Sequence, residues 1–173
     1  MAEEDAGPGT TPAAGLPSRR FEGREDFRQL VRDALATAAR DGWREIILSD
    51  ADFQDWPLGE RTVVESLLAW SRSGRRIVLL ARRYDDVLRQ QPRFVQWRRT
   101  WSHIVTASAC ASADPLELPS AIWSPAWVLE RRDPERSNGY CGSEPERRVL
   151  LRETLNEWLQ KSSPSFPATT LGL

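Results

Sequence analysis

Two aspartates, Asp50 and Asp52, follow an apolar run that is typical of a buried strand. Ligands of open α/β sheets bind beyond the carboxyl ends of the strands, where this pair is expected to lie. Paired carboxylates there could hold a metal ion or act as general acid and base. The alternative is structural, because Asp50 can cap the loop while Asp52 starts a turn. We favour the structural role and predict no metal site and no cofactor, since no other residue has a position that completes a metal shell.

Histidine and cysteine offer little further catalytic chemistry. His103 is the only histidine, and its ordinary pKa near neutrality would suit a general base. A single histidine beside apolar residues is more often a hydrogen-bonded packing residue, which is the role we favour. Cys110 would need a basic partner to act as a nucleophile, and the sequence offers no sign of one. Cys110 and Cys141 have neither the number nor the spacing of a metal site or a disulfide framework, so both are predicted to be reduced thiols.

An arginine-rich segment is the main candidate for binding. Residues 1–71 contain eight arginines against fourteen acids, whereas residues 72–100 contain nine arginines against two acids. Aromatic residues are interleaved with these arginines, a mixture that can grip phosphates while stacking bases. The candidate contacts are Arg82, Arg83, Arg89, Arg93, Arg98 and Arg99.

The same segment has a structural interpretation. Phe94, Trp97 and Trp101 recur at helical spacing, which is typical of a buried helix face. With these rings buried, the arginines would form a solvated outer face. The two interpretations are separated by a narrow margin, and both stay open from the sequence.

A tryptophan-rich stretch near the middle of the chain is a second candidate surface. Two apolar arms flank a charged turn, which predicts a β-hairpin with arms at 122–129 and 139–141 and a turn at 131–138. Trp123 and Trp127 lie four residues apart on the first arm, so they would point to one face of a strand. If exposed, that face would be an apolar patch suited to a protein partner.

Helices and strands alternate around these candidates. Helical spacing of apolar residues predicts helices over 24–41, ended by Asp41-Gly42, over 62–71 and over 84–101, the last divided at Pro92, and a final helix after the hairpin. Short apolar runs predict strands at 45–48, 76–81 and 103–106. Strand, helix and strand in this order imply parallel pairing. The sequence therefore predicts one α/β domain over residues 21–162, with a mixed, largely parallel sheet flanked by helices.

This order of elements, closed by Gly142 and Ser143 before the last helix, resembles one half of a phospholipase D-like fold. The superfamily motif is His-x-Lys, a following Asp, and Gly-Ser; here Gly142 and Ser143 match, and Asp133 is the candidate for the Asp. Family chemistry needs the histidine as nucleophile and the lysine to hold phosphate oxygens. The family spacing puts Val128 and Glu130 at those positions. The resemblance therefore implies a degenerate, catalytically inactive half.

Single-half members of that superfamily look like dimers that pair their hairpins across a two-fold axis. The resemblance therefore implies a homodimer as the assembly to expect. The chain also looks like small proteins of this type that bacteria encode.

Composition limits what else the chain can be. Its 173 residues are enough for one core, and 40% apolar and 28% charged residues are ordinary for a globular protein. Residues 1–20 are predicted to be a disordered tail and residues 163–173 an extended one. No apolar run approaches the length of a membrane span, and residues 1–20 lack the features of a secretory signal. We therefore expect a cytoplasmic protein without a membrane partner.

The leading functional prediction is a non-catalytic domain that binds a polyanion, either nucleic acid or a phosphorylated ligand, through the arginine-rich segment. The alternative is a protein-interaction or assembly module that uses Trp123 and Trp127. An enzyme with rearranged groups around Asp50, Asp52 and His103 is the least favoured prediction.

Overall fold

A computed structural model describes residues 15–168 of the chain, which contain one eight-stranded sheet. The strands run across it in the order β1-β7-β6-β5-β2-β3-β4-β8. Their bounds are β1 Arg19–Phe21, β2 Glu45–Ser49, β3 Arg76–Ala81, β4 Val105–Ala109, β5 Ala121–Trp123, β6 Val128–Asp133, β7 Asn138–Gly142 and β8 Ser163–Pro164.

Five helices in this part of the chain cover the two faces of the sheet. They are α1 Arg24–Asp41, α2 Arg61–Trp70, α3 Asp85–Gln90, α4 Pro92–Thr100 and α5 Pro145–Gln160. One core joins buried residues of α1 to α4 with strand residues such as Ile46 and Leu48. A second core joins Leu151 and Leu155 of α5 with Ile47 and the other alternating strand residues. The sheet therefore lies between two helical layers, because successive strand residues point to opposite faces.

The sheet is mixed, but the prediction of a largely parallel sheet was wrong. Only β2, β3 and β4 pair in parallel. The pairs β1–β7, β7–β6, β6–β5, β5–β2 and β4–β8 are all antiparallel. The strand-helix-strand pattern did predict the three parallel strands. The other strands are antiparallel because short turns, rather than helical crossovers, join β5, β6 and β7.

The predicted hairpin is a three-stranded meander. Its supposed first arm, 122–129, contains two strands, β5 and β6, joined by a tight turn. Ser124 organises that turn, since its Oγ accepts hydrogen bonds from the backbone N–H groups of Ala126 and Trp127 at 3.2 and 2.9 Å. Pro125 lies inside the turn and contributes no backbone N–H. The turn directs Trp123 and Trp127 into different cores, so they do not share a strand face.

Ordered structure extends beyond the predicted domain bounds at both ends. Strand β1 begins at Arg19 and pairs with β7. Near the other end, Phe166 is buried and stacks on Tyr84 with ring centroids 5.0 Å apart. The rest of the predicted tails, 1–14 and 169–173, falls outside the described residues. No helix between residues 15 and 168 is long and apolar enough to cross a membrane.

Most predicted helices and strands lie close to their expected positions. Helix α1 ends where the sequence predicted, because Gly42 adopts a left-handed conformation (φ 73°) and its N–H bonds to the carbonyl of Ala38. Strand β3 has its predicted bounds, and the division between α3 and α4 falls at Pro92. The third strand is displaced from the predicted 103–106 to β4, since residues 101–104 form a turn.

Candidate functional site

Asp50 has a structural role at the carboxyl end of β2. Its Oδ2 accepts hydrogen bonds from the backbone N–H groups of Asp52 and Phe53, at 3.2 and 2.8 Å. Its Oδ1 accepts a hydrogen bond from Nη2 of Arg131 at 2.9 Å. Phe53 has a positive φ of 59°, so the capped loop holds a backbone conformation that is uncommon for this residue type. The capping interpretation of Asp50 therefore agrees with the structure.

Arg131 is the residue around which this edge is organised, and the sequence did not single it out. Only 3% of its side chain and 4% of that of Asp50 are exposed. Its Nε donates to Ser120 Oγ at 3.0 Å, and its Nη1 donates to Asp55 Oδ2 at 3.1 Å. The guanidinium also lies 4.4 Å from the centroid of the Phe27 ring. The buried charge is thus paired and hydrogen-bonded, as such a group must be.

Acidic side chains gather at the carboxyl edge of the parallel strands. Asp52 is half-buried, and desolvation raises its pKa, with further contributions from the charges of Asp50, Asp86 and Asp55. The residues from 15 to 168 contain no group of three or more His, Cys, Asp or Glu that could hold a metal ion. Asp50, Asp55 and Asp86 are paired with arginines, whereas Asp52 has no ion pair among the described residues. The charge of Asp52 therefore makes this edge a poor surface for a polyanion, despite the presence of Arg82 and Arg83.

The six predicted arginine contacts do not form one surface. Arg82 lies at the acidic edge, where its Nε donates to the carbonyl of Ala113 at 2.7 Å, and Arg83 beside it is exposed. Arg89 forms an ion pair with Asp86 on α3. On α4, Arg93 and Arg99 are exposed, whereas Arg98 is buried. Only the exposed arginines in this set can meet a large partner without rearrangement.

The aromatic residues of the segment belong to the core. Phe94 and Trp97 are buried in α4, and Trp97 Nε1 donates to Ser71 Oγ at 2.9 Å. Tyr84 is also buried, and its hydroxyl donates to the carbonyl of Ser108 at 2.7 Å. Burial raises the pKa of Tyr84 well above its usual value. These three rings cannot stack on bases. The packing interpretation holds for Phe94 and Trp97, whereas Trp101 is only half-buried.

A second group of arginines meets at the amino edge of the parallel strands. Arg44 precedes β2, Arg72 and Arg75 lie between α2 and β3, and Arg76 begins β3. The backbone N–H of Arg76 donates to the carbonyl of Arg44 at 3.0 Å, which fixes the two chain segments side by side. We call Arg44, Arg72, Arg75 and Arg76 the amino-edge cluster.

In the amino-edge cluster, the charges of Arg72 and Arg44 are close enough to affect Arg75. The pKa of Arg75 is lowered by burial and then by the positive charges of Arg72 and Arg44. Among the described residues, no member of the cluster has a carboxylate within ion-pair distance. The nearby Glu45 instead pairs with Arg152 of α5 at 3.1 Å. The cluster is therefore a concentrated positive patch on a protein whose net charge is -1.

No prediction from the sequence included this cluster, although the residues before two of the strands indicate it. Both β2 and β3 are preceded by arginine, in the runs Arg44-Glu45-Ile46 and Arg75-Arg76-Ile77. Parallel pairing brings the amino ends of neighbouring strands to one edge. Two basic residues that each precede a predicted parallel strand are thus expected to meet, even when about thirty residues separate them.

The tryptophan surface is not available in this structure. Trp123 and Trp127 are 8% and 2% exposed. Trp123 Nε1 donates to the carbonyl of Arg148, and Trp127 Nε1 donates to that of Pro17, both at 2.9 Å. Their burial removes the exposed apolar patch on which the interaction-module prediction depended.

The remaining candidates do not assemble into a catalytic group. Gly142 ends β7, and Ser143 is exposed beyond it. His103 is exposed and stacks on Trp101 with ring centroids 5.5 Å apart, rather than packing in the core. Both cysteines are free and buried, and burial raises the pKa of Cys110 and of Cys141. The two thiols are therefore protonated at neutral pH and poor nucleophiles.

Comparison with known proteins gives a likeness of fold. No family model matches the sequence, and no curated protein matches it. Among solved structures, the chain is similar to TrmBL2, described as an archaeal chromatin protein with a novel mode of DNA binding. The TM-score is 0.62 at 13% sequence identity, and the match covers 87% of this chain.

This match has defined limits. The chain spans 56% of the length of TrmBL2, and identity at this level shows the fold alone. The protein is thus an α/β domain whose fold also occurs in a DNA-binding chromatin protein. The phospholipase D-like assignment and the homodimer stay predictions.

Proposed function

We propose that this protein is a non-catalytic nucleic-acid-binding domain, with the amino-edge cluster as its main phosphate contact. The observation that carries the proposal is the convergence of Arg44, Arg72 and Arg75 without an ion pair among residues 15–168. Arg76 begins the adjoining strand and also has no ion pair there, because its cross-strand neighbour Glu45 pairs with Arg152. Guanidinium groups bind phosphate in a bidentate manner and remain charged at any physiological pH. A row of phosphates would relieve the repulsion that Arg72 and Arg44 exert on Arg75.

The distribution of charge supports the amino edge over the segment predicted from the sequence. Arg82 and Arg83 follow β3 at the edge where Asp52 lies, and the negative charge of Asp52 would repel a phosphate backbone. At the amino edge, Glu45 is held by Arg152, and no member of the amino-edge cluster has an ion pair in the described part of the chain. The amino edge thus combines arginines without ion pairs and an acid that is already neutralised.

Exposed arginines near the amino edge would extend the contact. The hydrogen bond between Trp97 and Ser71 brings the carboxyl-terminal ends of α4 and α2 together. Arg99, exposed in the last turn of α4, therefore lies at the same end of the domain as Arg72. Arg93 does not belong to this surface, because it lies in the first turn of α4 and donates to the carbonyl of Gly59 before α2.

The likeness to TrmBL2 supports nucleic acid over a small phosphorylated ligand. That protein is described as binding DNA, and the similarity covers most of this chain. An exposed cluster built from two chain segments, Arg44 and residues 72–76, also suits a long backbone better than a single phosphate, which needs an enclosed site. The buried aromatic rings favour phosphate contacts rather than base stacking, so we expect little sequence preference.

The test is a titration of labelled nucleic acid followed by fluorescence anisotropy. A duplex and a single strand of equal length would be titrated at low and near-physiological salt, with the wild type and an Arg72→Gln/Arg76→Gln variant. Binding that weakens with salt and in the variant would support the proposal. A short phosphorylated nucleotide that competes as well as the duplex would instead favour the small-ligand alternative. Absence of binding at low salt, where phosphate contacts are strongest, would reject both.

A further inference from the structure

Arg98 is a buried arginine without a charged partner. It lies on α4, is 6% exposed, and has no carboxylate within ion-pair distance among the described residues. Its Nε donates to the carbonyl of Phe166 at 3.0 Å, and its guanidinium lies 5.5 Å from the centroid of the Phe166 ring. Its Nη1 is buried and has no hydrogen-bond partner. Most of the bonding capacity of this guanidinium is therefore unused.

Such an arrangement is unfavourable unless an anion completes it. A buried charge is normally paired, because desolvation costs several kcal/mol that a single carbonyl contact does not offset. Burial accordingly lowers the pKa of Arg98, with Tyr84 as the only group that opposes the shift. Tyr84 is a neutral phenol whose hydroxyl is committed to Ser108. The contrast with Arg131 is direct, since that buried arginine has two aspartate partners.

A cavity of about 430 Å³ adjoins Arg98 at the outer edge of β4. It lies between β4 and the segment 164–167, and its polar side chains are those of Arg98, Thr106 and Ser165. The segment is held there by the bond from Ser165 N–H to the carbonyl of Ala107 at 3.0 Å. Neither the Thr106 hydroxyl nor the Ser165 hydroxyl has a protein hydrogen-bond partner in the described structure. One guanidinium and two free hydroxyls are the donors that an oxyanion requires.

We propose that this cavity binds one oxyanion group, a carboxylate or a phosphate, of a small ligand. Arg98 supplies the charge, and Thr106 and Ser165 supply additional hydrogen bonds. A long phosphate backbone is a poor fit as the ligand, because only 6% of Arg98 is exposed. The site is therefore separate from the amino-edge cluster and independent of the function proposed above. Occupancy would also stabilise the segment 164–167, since that segment forms one wall of the site.

The test is ligand-dependent stability with inorganic phosphate and acetate as probes. Thermal unfolding of the wild type would be followed at increasing concentration of each probe, with sodium chloride at matched ionic strength as the reference. A probe at about ten times its Kd raises the unfolding midpoint by about 3–6 °C for a domain of this size. A shift with phosphate alone, with acetate alone or with both would identify the oxyanion class. No shift beyond that of chloride would overturn the proposal.

Variants locate the effect. Arg98→Met should abolish the probe-dependent shift, whereas Arg132→Met, at an exposed position on β6 away from this cavity, should leave it unchanged. Because Arg98→Met removes a buried side chain and could fail to fold, Thr106→Val/Ser165→Ala provides a second test at positions that are not fully buried. This double variant should reduce the shift at a given probe concentration. A full shift in the double variant, or in a folded Arg98→Met, would contradict the assignment of the site.

Discussion

Removing two arginines from the amino-edge cluster should change the salt dependence of nucleic-acid binding by a calculable amount. The perturbation is Arg72→Gln/Arg76→Gln, at two exposed positions outside both cores. If all four cluster arginines contact phosphates of a B-form duplex, log Kobs falls with log[salt] at a slope of about -3.6. Raising salt from about 50 to about 200 mM then weakens binding by about 150-fold. Two remaining contacts give a slope of about -1.8 and a loss of about 12-fold.

The assay is anisotropy of a labelled duplex at four or more salt concentrations, because the slope is independent of any uniform change in affinity. Arg24→Gln/Arg132→Gln is the matched control. Those two arginines are about two-thirds exposed and each lies near a carboxylate, Asp55 at 3.6 Å and Glu130 at 3.0 Å. The control removes the same net charge at positions away from the cluster. Equal slopes in the wild type and the cluster variant, or an equal reduction of the slope in the control, would refute the assignment of phosphate contacts to the cluster.

Three further predictions concern the carboxyl edge and the meander. Arg131→Met should destabilise the fold by about 3–5 kcal/mol in urea unfolding, because it leaves the carboxylate of Asp50 buried and unpaired; a loss below about 1 kcal/mol would contradict the importance of this pair. Asp52→Asn should stabilise the protein at pH 7. Desolvation raises the pKa of Asp52 in the folded state, so ionisation of this carboxyl group at neutral pH opposes folding. The stability gained by Asp52→Asn should disappear below about pH 3.8, where the folded and unfolded states both hold the proton. A gain that does not vary with pH would refute this cause. Gly139→Ala should cost about 1–3 kcal/mol or more in the same unfolding assay, since a Cβ there meets the backbone of β6, whereas Gly142→Ala meets mainly the flexible Glu144 and should cost less.

Local sequence patterns predicted those elements that local forces determine. The run Arg76 to Ala81 is continuously apolar after its first residue, and it forms a strand with those bounds. Pro92 divides two helices as predicted, because proline restricts the residue before it. Helix α1 ends at Gly42, where a left-handed residue without a side chain is favoured.

The hairpin shows where a local pattern was insufficient. Residues 122–129 resemble one strand because tryptophan, isoleucine and valine occur on both sides of Ser124 and Pro125. Serine and proline are turn residues, and here they bend the chain so that Trp123 pairs with Val128. The resulting short strands are antiparallel, and this changed the overall character of the sheet. Giving Pro125 more weight than the surrounding apolar residues would have corrected the prediction.

The candidate site depended on contacts that no local pattern contains. Asp50 and Arg131 are 81 positions apart and meet only because β5 and β6 are added beside β2. The helical spacing of Phe94 and Trp97 correctly indicated a buried face. It did not indicate that Arg98 would be buried with them, because the residues that cover Arg98 come from the segment after α5.

Nucleic-acid binding by the amino-edge cluster is tested most directly by mapping the binding surface with NMR. A short duplex would be titrated into ¹⁵N-labelled protein at low salt while the backbone amide signals are followed. If the amino-edge cluster binds nucleic acid, we expect progressive shifts for Arg44, for Arg76 and for the loop around Gly74 between α2 and β3. The signals of Asp50 and Asp52 should change little. Shifts confined to the carboxyl edge, or no shifts at all at low salt, would contradict the proposal that the amino-edge cluster binds nucleic acid.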